Sequence, residues 1–294
     1  MRFLYGKRRC FGWWYYWLIM PIVVKGDGTR EEFQMHKLIG SLTHSGAEKD
    51  LAETIGKKIG NQIQPGMSTT AIYREAFKML RKEERLTAAK YSMRRAILEL
   101  GPTGFPFEDF IGELMRAKGY KTRTRVVVQG RCIEHEVDVV LEKGELTIGA
   151  ELKFHNTPGF KTDLKTALYV RARYWDIQWG AEDRKEKAGI DEGWLVTNTK
   201  FTGNAIDYAS CSGIKLLGWS YPNGASLSDF IQETGVYPVT VLTSLSNVDK
   251  QRLLQNGVRM CSALASDPSV LEKIGISGKK HDDIIRESTA LCKV

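Results

Sequence analysis

133-IEHEVDVVLEKGELTIGAELKFH-155 holds two apolar or alternating runs separated by Lys143-Gly144-Glu145, the pattern of two antiparallel strands and a tight turn. On a strand, residues two apart share a face, so Glu151 and Lys153 project together. A two-residue turn at Gly144-Glu145 places Asp138 directly opposite Glu151. A turn at Lys143-Gly144 pairs Asp138 with Gly149 and leaves Glu151 as its same-face diagonal neighbour. An odd loop length sends the two acids to opposite faces. Both even registers bring the carboxylates within about 5–8 Å, close enough to share a cation. The plain alternative is a solvated hairpin, since Glu-x-Lys alone is common. Against it stand Gly149-Ala150 and Leu152-Phe154, which make the second strand apolar and central. There, ionised Glu151 and Lys153 are costly unless paired or bound to metal.

Two carboxylates on a rigid sheet suit Mg²⁺ or Mn²⁺, with positions left for water and phosphate. A metal so held polarises a phosphoryl group and lowers the pKa of a bound water. Lys153 then orients that water or neutralises the phosphorane. These are the parts that phosphodiester hydrolysis requires. His135 is expected to be a satisfied histidine, with Val137 and Val139 as its strand-face companions opposite Asp138; His155 is ambiguous.

Working outward, a helix is expected over 107–118, then Gly119-Tyr120 and a strand over 123–128. After the hairpin come a long helix over 163–178, a strand over 193–198, a helix over 205–212 and a closing strand over 214–219. The expectation is an α/β core, a mixed sheet flanked by helices. Gly101-Pro102-Thr103-Gly104 with Pro106 is the clearest linker.

Glu108, His135-Glu136-Val137-Asp138 and Glu151-Leu152-Lys153, in that order, resemble the PD-(D/E)xK nuclease superfamily. Within it the similarity is to the Mrr-like restriction endonucleases, related to Holliday junction resolvases. The run 194-WLVTNTKFTGNAIDYASCSGIKLLGW-219 is similar to that group's closing strand-helix-strand, with Thr197 and Phe201-Thr202 in matching places. The resemblance covers 107–219. It implies metal ligands at Asp138 and Glu151, the catalytic lysine at Lys153, and a supporting acid at Glu108, with Glu113 as fallback. Val137 stands where the motif's name has proline.

Ahead of the linker, Ile22-Val23-Val24 runs into the turn Gly26-Asp27-Gly28, and Phe33 could open a second strand. Leu38 and Leu42, then Leu51, Ile55, Ile59 and Ile63, have helical spacing. Gln64-Pro65-Gly66 ends that helix, Ser68 can cap the next, and a last helix is expected from Thr87 to Leu100. Val24-Lys25-x-Asp27-Gly28, Phe33, Lys37 and Tyr91-Ser92-Met93-Arg94-Arg95 resemble an ATP-cone over 21–100. That resemblance implies binding of ATP or dATP by Val24, Lys25, Gly28, Lys37, Tyr91 and Arg95. Arg94 replaces the second tyrosine of the family's Tyr-x-x-Tyr-Arg.

The stretch 242–264, with 271–276 after it, resembles helix-hairpin-helix pairs, which offer backbone N–H groups to DNA phosphates. Helices packed on the core are the equal alternative. The domains are thus 20–100, 105–222 and a helical tail over 226–294. Residues 1–19 have a basic start and an aromatic run. The apolar stretch 11–24 falls short of the ~20 residues that span a bilayer and contains Pro21. The expectation is a mis-assigned start ahead of Met20, with a membrane-surface anchor as the alternative.

The 294 residues carry a formal charge of +8, which suits a polyanionic partner such as DNA. Five scattered cysteines with no Cys-x-x-Cys pair point away from a disulfide framework or zinc knuckle and toward the cytoplasm. No Walker-type phosphate loop occurs, so a motor ATPase is not expected. The expectation is a Mg²⁺-dependent DNA endonuclease tuned by an adenine nucleotide. Its alternatives are a nucleotide-responsive DNA-binding regulator with a silent nuclease fold, and a junction resolvase, which requires a homodimer.

Overall fold

The structure is a computed structural model describing residues 21–157, 159–186 and 189–292. The expectation for residues 1–19 lies outside them. A β-ribbon, β1 (Ile22–Val24) and β2 (Arg30–Glu32), precedes helices α1 (Met35–His44), α2 (Lys49–Gly60), α3 (Thr69–Glu83), α4 (Arg85–Tyr91) and α5 (Met93–Leu98). The nuclease-like region runs α6 (Phe105–Ala117), β3 (Lys121–Gln129), β4 (Glu134–Lys143), β5 (Leu146–Lys153), β6 (Lys161–Thr162), α7 (Leu164–Asp183), β7 (Glu192–Thr197), β8 (Lys200–Phe201), α8 (Gly203–Ser212) and β9 (Lys215–Leu217). The tail is α9 (Leu227–Thr234), α10 (Asn247–Gln255), α11 (Cys261–Ser266), α12 (Ser269–Lys273) and α13 (Gly278–Leu291). Among the described residues no helix is long and apolar enough to cross a membrane.

The central sheet has the order β3-β4-β5-β7-β9. β3, β4 and β5 run antiparallel, while β7 and β9 run parallel to β5. It is the mixed sheet flanked by helices that the alternation implies. One face packs Val137, Val140 and Leu195 against Ala167, Val170, Tyr174 and Ile177 of α7 and Ala205 of α8. The other packs Val139, Leu141, Ile148 and Ala150 against α6 and the tail.

α7 lies close because β5 and β7 present glycines to it. A Cβ on Gly193 would stand 2.3 Å from the ring of Tyr174, and one on Gly149 2.6 Å from it. Tyr174 is fully buried, so its ring has little room to yield. Gly193→Ala is therefore expected to destabilise the fold by about 1–3 kcal/mol in a denaturant titration. An unchanged midpoint would mean that α7 rides loosely on the sheet.

Several boundaries differ from those read in the sequence. The helix expected over 87–100 breaks at Ser92, whose hydroxyl bonds back to the carbonyl of Ala89. The turn lets Met93, Ala96 and Ile97 face the nuclease core while Ala88 stays with the front helices. Ile63 lies beyond α2, and Phe33 follows β2 rather than opening it. The tail helix expected across Gly257 divides there, that residue holding φ 78°. Tail side chains Leu253, Leu264, Leu271 and Ile284 join the apolar cluster of α6 and the sheet. That packing is what the second reading of this stretch expects, and it leaves the helix-hairpin-helix likeness one of sequence.

Candidate active site

The β4–β5 ladder runs from Lys143↔Leu146 to Val139↔Ala150, closed by Gly144-Glu145 with Gly144 at φ 62°. Of the registers open to the sequence it is the one that continues to Asp138 opposite Glu151. The strands part at that point. The N–H of Leu152 donates to Asp138 Oδ2 at 2.7 Å, so the carboxylate takes a donor at the end of the ladder. The face argument for His135 needs correction here: Val137 belongs to the α7-side cluster and Val139 to the other. Simple alternation does not run through this part of β4.

β3 is irregular at the same level. Between the pairs Thr124↔Val139 and Val126↔Val137, Arg125 adopts φ 54°. A left-handed backbone costs a non-glycine residue about 1 kcal/mol or more and marks functional sites often enough to be examined. Its guanidinium donates to Glu108 Oε2 at 3.0 Å and Asp109 Oδ1 at 3.1 Å. Glu108 sits in the first turn of α6, where the helix dipole favours a carboxylate, and is 8% exposed. Glu113, the fallback, instead pairs with Arg116 on the exposed side of α6.

The three acids share one electrostatic environment. Burial, then repulsion from Asp138, pushes Glu151 up to about 7, with Glu108 adding to the repulsion. Burial raises Asp138 against the opposing hydrogen bond from Leu152. Burial also raises Glu108, with Arg125 pulling the other way. Burial with like charge nearby raises the pKa of carboxylates, and such groups cluster at functional sites. The excess repulsion is what a cation relieves. Among the described residues no three His, Cys, Asp or Glu side chains meet as a ready metal cage. The donor set that fits is the Asp138–Glu151 pair with water or phosphate completing the shell, as Mg²⁺ prefers.

Sequence reasoning missed Arg173. It ion-pairs with Glu151 and also bonds Tyr169 and the carbonyl of Glu136. Burial and two neighbouring acids still outweigh this pair in setting the Glu151 pKa. Arg173 comes from α7, and its one sequence signal is its place beside the buried Tyr174. Lys153 is exposed, with no ion pair among the described residues. It borders a cavity of about 400 Å³ that also touches Pro102, His155 and Phe160.

Behind Lys153 lies a buried polar network. Thr197, on the parallel neighbour β7, donates from Oγ1 to the Lys153 carbonyl at 2.7 Å and lies 3.2 Å from Thr162 Oγ1. His155 Nε2 meets Thr162 Oγ1 at 3.2 Å, and Asn198 exchanges two bonds with the His155 backbone. His155 is thus a supporting residue. His135 is satisfied by Asp176 at 2.8 Å.

Of the nucleotide candidates, Lys37 and Tyr91 line one hollow of about 170 Å³ together with Glu31, Phe33 and Tyr73. Lys25 and Lys37 both meet Glu31, at 2.6 and 3.6 Å. The N–H groups of Val24 and Gly28 are taken by the carbonyls of Met67 and Lys25. Tyr91 stacks on Tyr73 at 5.2 Å, and Arg95, which lines a hollow with Tyr73, pairs with Glu99 at 2.8 Å.

The family profile described as Restriction endonuclease matches residues 101–220, and the one described as AF1548-like, C-terminal, matches residues 237–292. An uncharacterized protein of Archaeoglobus fulgidus is 38% identical over 182 residues, 60% of this chain and 97% of that one. The crystal structure of AF1548, a protein of unknown function, matches with a TM-score of 0.52 at 34% identity, covering 65% of this chain and 98% of that one. The MspJI restriction endonuclease in complex with a 27-mer oligonucleotide matches at 14% identity and a TM-score of 0.34, covering 58% of this chain and 36% of that one, too low to bear on substrate. The two profile matches lie within 101–292, so the ATP-cone likeness of the front domain remains one of sequence.

Proposed function

The chain belongs to the AF1548-like family and carries a restriction-endonuclease-like domain, and from that premise we propose that it is a divalent-metal-dependent DNA endonuclease. The observation that carries this is the electrostatic coupling of Glu108, Asp138 and Glu151 near the parting of β4 and β5, with Lys153, which has no ion pair among the described residues, on the same strand as Glu151. Asp138 and Glu151 would hold Mg²⁺ or Mn²⁺. An ion there supplies Lewis-acid polarisation of a phosphodiester and a lowered pKa for water. Lys153 faces the scissile phosphate and neutralises charge that grows on it. Glu108, held by Arg125, positions Arg125 and adds to the negative field of the site. With Glu151 holding a cation, Arg173 would still have Tyr169 and the Glu136 carbonyl as partners.

The front domain is read as an ATP or dATP sensor, supported by its ATP-cone-like residues and by the Tyr73–Tyr91 stack. A net charge of +8 suits DNA as substrate. The Arg173–Glu151 pair favours a second reading, in which an arginine replaces the metal and the fold is a silent DNA-binding regulator.

Incubating supercoiled plasmid with protein beginning at Met20 separates the two. The endonuclease is expected to nick it in Mg²⁺ or Mn²⁺ and to stop when EDTA is added. Plasmid and branched DNA that are bound yet survive every metal would establish the regulator.

A further inference from the structure

The seam between the front helices and the nuclease core gathers positive charge with few acids to match. Arg94 on α5 is half-buried, and burial alone accounts for its lowered pKa, with no partner opposing it. Across the seam, Lys161 of β6 and Lys200 of β8 are register partners in a parallel two-stranded ribbon. The loop before β6 docks on the β1–β2 turn: a Cβ on Gly159 would stand 2.8 Å from Asp27 Cβ. That contact brings Lys25, two residues before Asp27, toward Lys161. Three of these cations act on the fourth, Lys200. Lys200 is pushed below the usual lysine range by loss of solvent first, then by Arg94, Lys25 and Lys161, with Glu31 opposing.

A recess opens beside Arg94. Its volume is about 290 Å³, and Tyr73, Tyr91, Trp219 and Tyr237 form much of its wall. The N–H of Trp219 bonds the carbonyl of Thr199 at 2.9 Å, which ties that wall to the residue before Lys200. Lys25 pairs with Glu31, but Arg94, Lys161 and Lys200 have no ion pair among the described residues. Cations so left in a partly dry seam are costly, and phosphate oxygens are the acceptors that satisfy them best. An aromatic-lined hollow adjoining them suits a flat ring. A duplex backbone needs a ridge or open groove, whereas Arg94 stands at the edge of a recess only a small molecule can enter.

We propose that this seam binds a nucleoside polyphosphate, with Arg94, Lys25, Lys161 and Lys200 on the phosphates and the base in the aromatic recess. This rests on the nucleotide-sensing part of the proposed function and moves the ligand from the Lys37 and Gly28 face to a place both domains build. It also gives occupancy a route to the scissors. Lys161 is followed by Thr162, which reaches Thr197 and through it the carbonyl of Lys153.

Calorimetric titration of ATP, inorganic tripolyphosphate, adenosine and a short DNA duplex tests this on protein beginning at Met20. ATP and tripolyphosphate are expected to bind, and adenosine more weakly than ATP. Arg94→Gln and Lys200→Gln should each weaken ATP and tripolyphosphate at least tenfold, and Lys37→Gln less than threefold. Lys200 is exposed on a two-residue strand, so its variant should fold even if Arg94→Gln does not, and thermal melts check both. The proposal is overturned if Lys200→Gln keeps full ATP affinity, if Lys37 carries the binding, if no phosphate compound binds, or if the seam variants weaken the duplex alone. Binding is read without cleavage: a dead nuclease that binds ATP at the seam defeats the nuclease reading only. A live nuclease blind to phosphate defeats this proposal only.

Discussion

Lys153→Ala is expected to slow metal-dependent cleavage of plasmid by about 10²–10³-fold, the usual loss when one group that stabilises developing charge is removed. The fold should not notice. The side chain is exposed, its ammonium has no ion pair among the described residues, and the contact that anchors its strand runs through the main-chain carbonyl to Thr197. The melting temperature of the variant should therefore match that of the native chain. Lys153→Arg should rescue little, because a planar guanidinium does not present a point charge where the ammonium does. Cleavage at the native rate by Lys153→Ala would remove the residue from the mechanism and leave Glu151-Leu152-Lys153 an ordinary strand alternation.

Glu151→Gln is expected to abolish cleavage and yet raise stability at alkaline pH. Glu151 has a folded pKa of about 7 against an ordinary value of 4.5. Between those values the folded chain binds a proton that the unfolded chain has released, so stability falls as pH rises through that window and levels off above 7. The full penalty is about 3 kcal/mol. Glutamine stands in for the protonated acid, so the variant avoids the penalty and should melt higher at pH 8, on the order of 5–10 °C. Mg²⁺ or Mn²⁺ should recover part of the same penalty in the native chain at pH 8 and do nothing for Glu151→Gln. A lower melting temperature in the variant would show instead that Glu151 and Arg173 form a structural ion pair.

The hairpin was legible because its signals are local. Alternation across 133–155, an apolar second strand and a Gly-Glu turn leave few registers, and the one adopted is among the two that unite Asp138 with Glu151. Glu108 followed from a resemblance and lies in the same electrostatic cluster. What stayed hidden came from afar or from strain. Arg173 reaches Glu151 from 22 residues away on a helix that is apolar on several sides, so no periodicity singles it out. Arg125 looks like one of several basic residues on β3, and only its left-handed backbone distinguishes it. Ser92 interrupts a helix of favourable composition because Met93, Ala96 and Ile97 gain burial against a different core, a tertiary gain that outweighs local propensity.

That break at Ser92 decides how the two domains can speak to each other. Beyond it, the carbonyl of Ala96 is held by Thr240 at 2.7 Å, Glu99 by Lys250 at 3.1 Å, and, before it, Arg85 by Glu287 at 3.5 Å. The tail grips both α4 and α5, so Pro102 and its flanking glycines do not serve as a hinge. The front domain has no lever arm with which to swing over the acidic cluster. Any change in the front helices would reach the acidic cluster through packed side chains rather than through a swing, a stiff coupling.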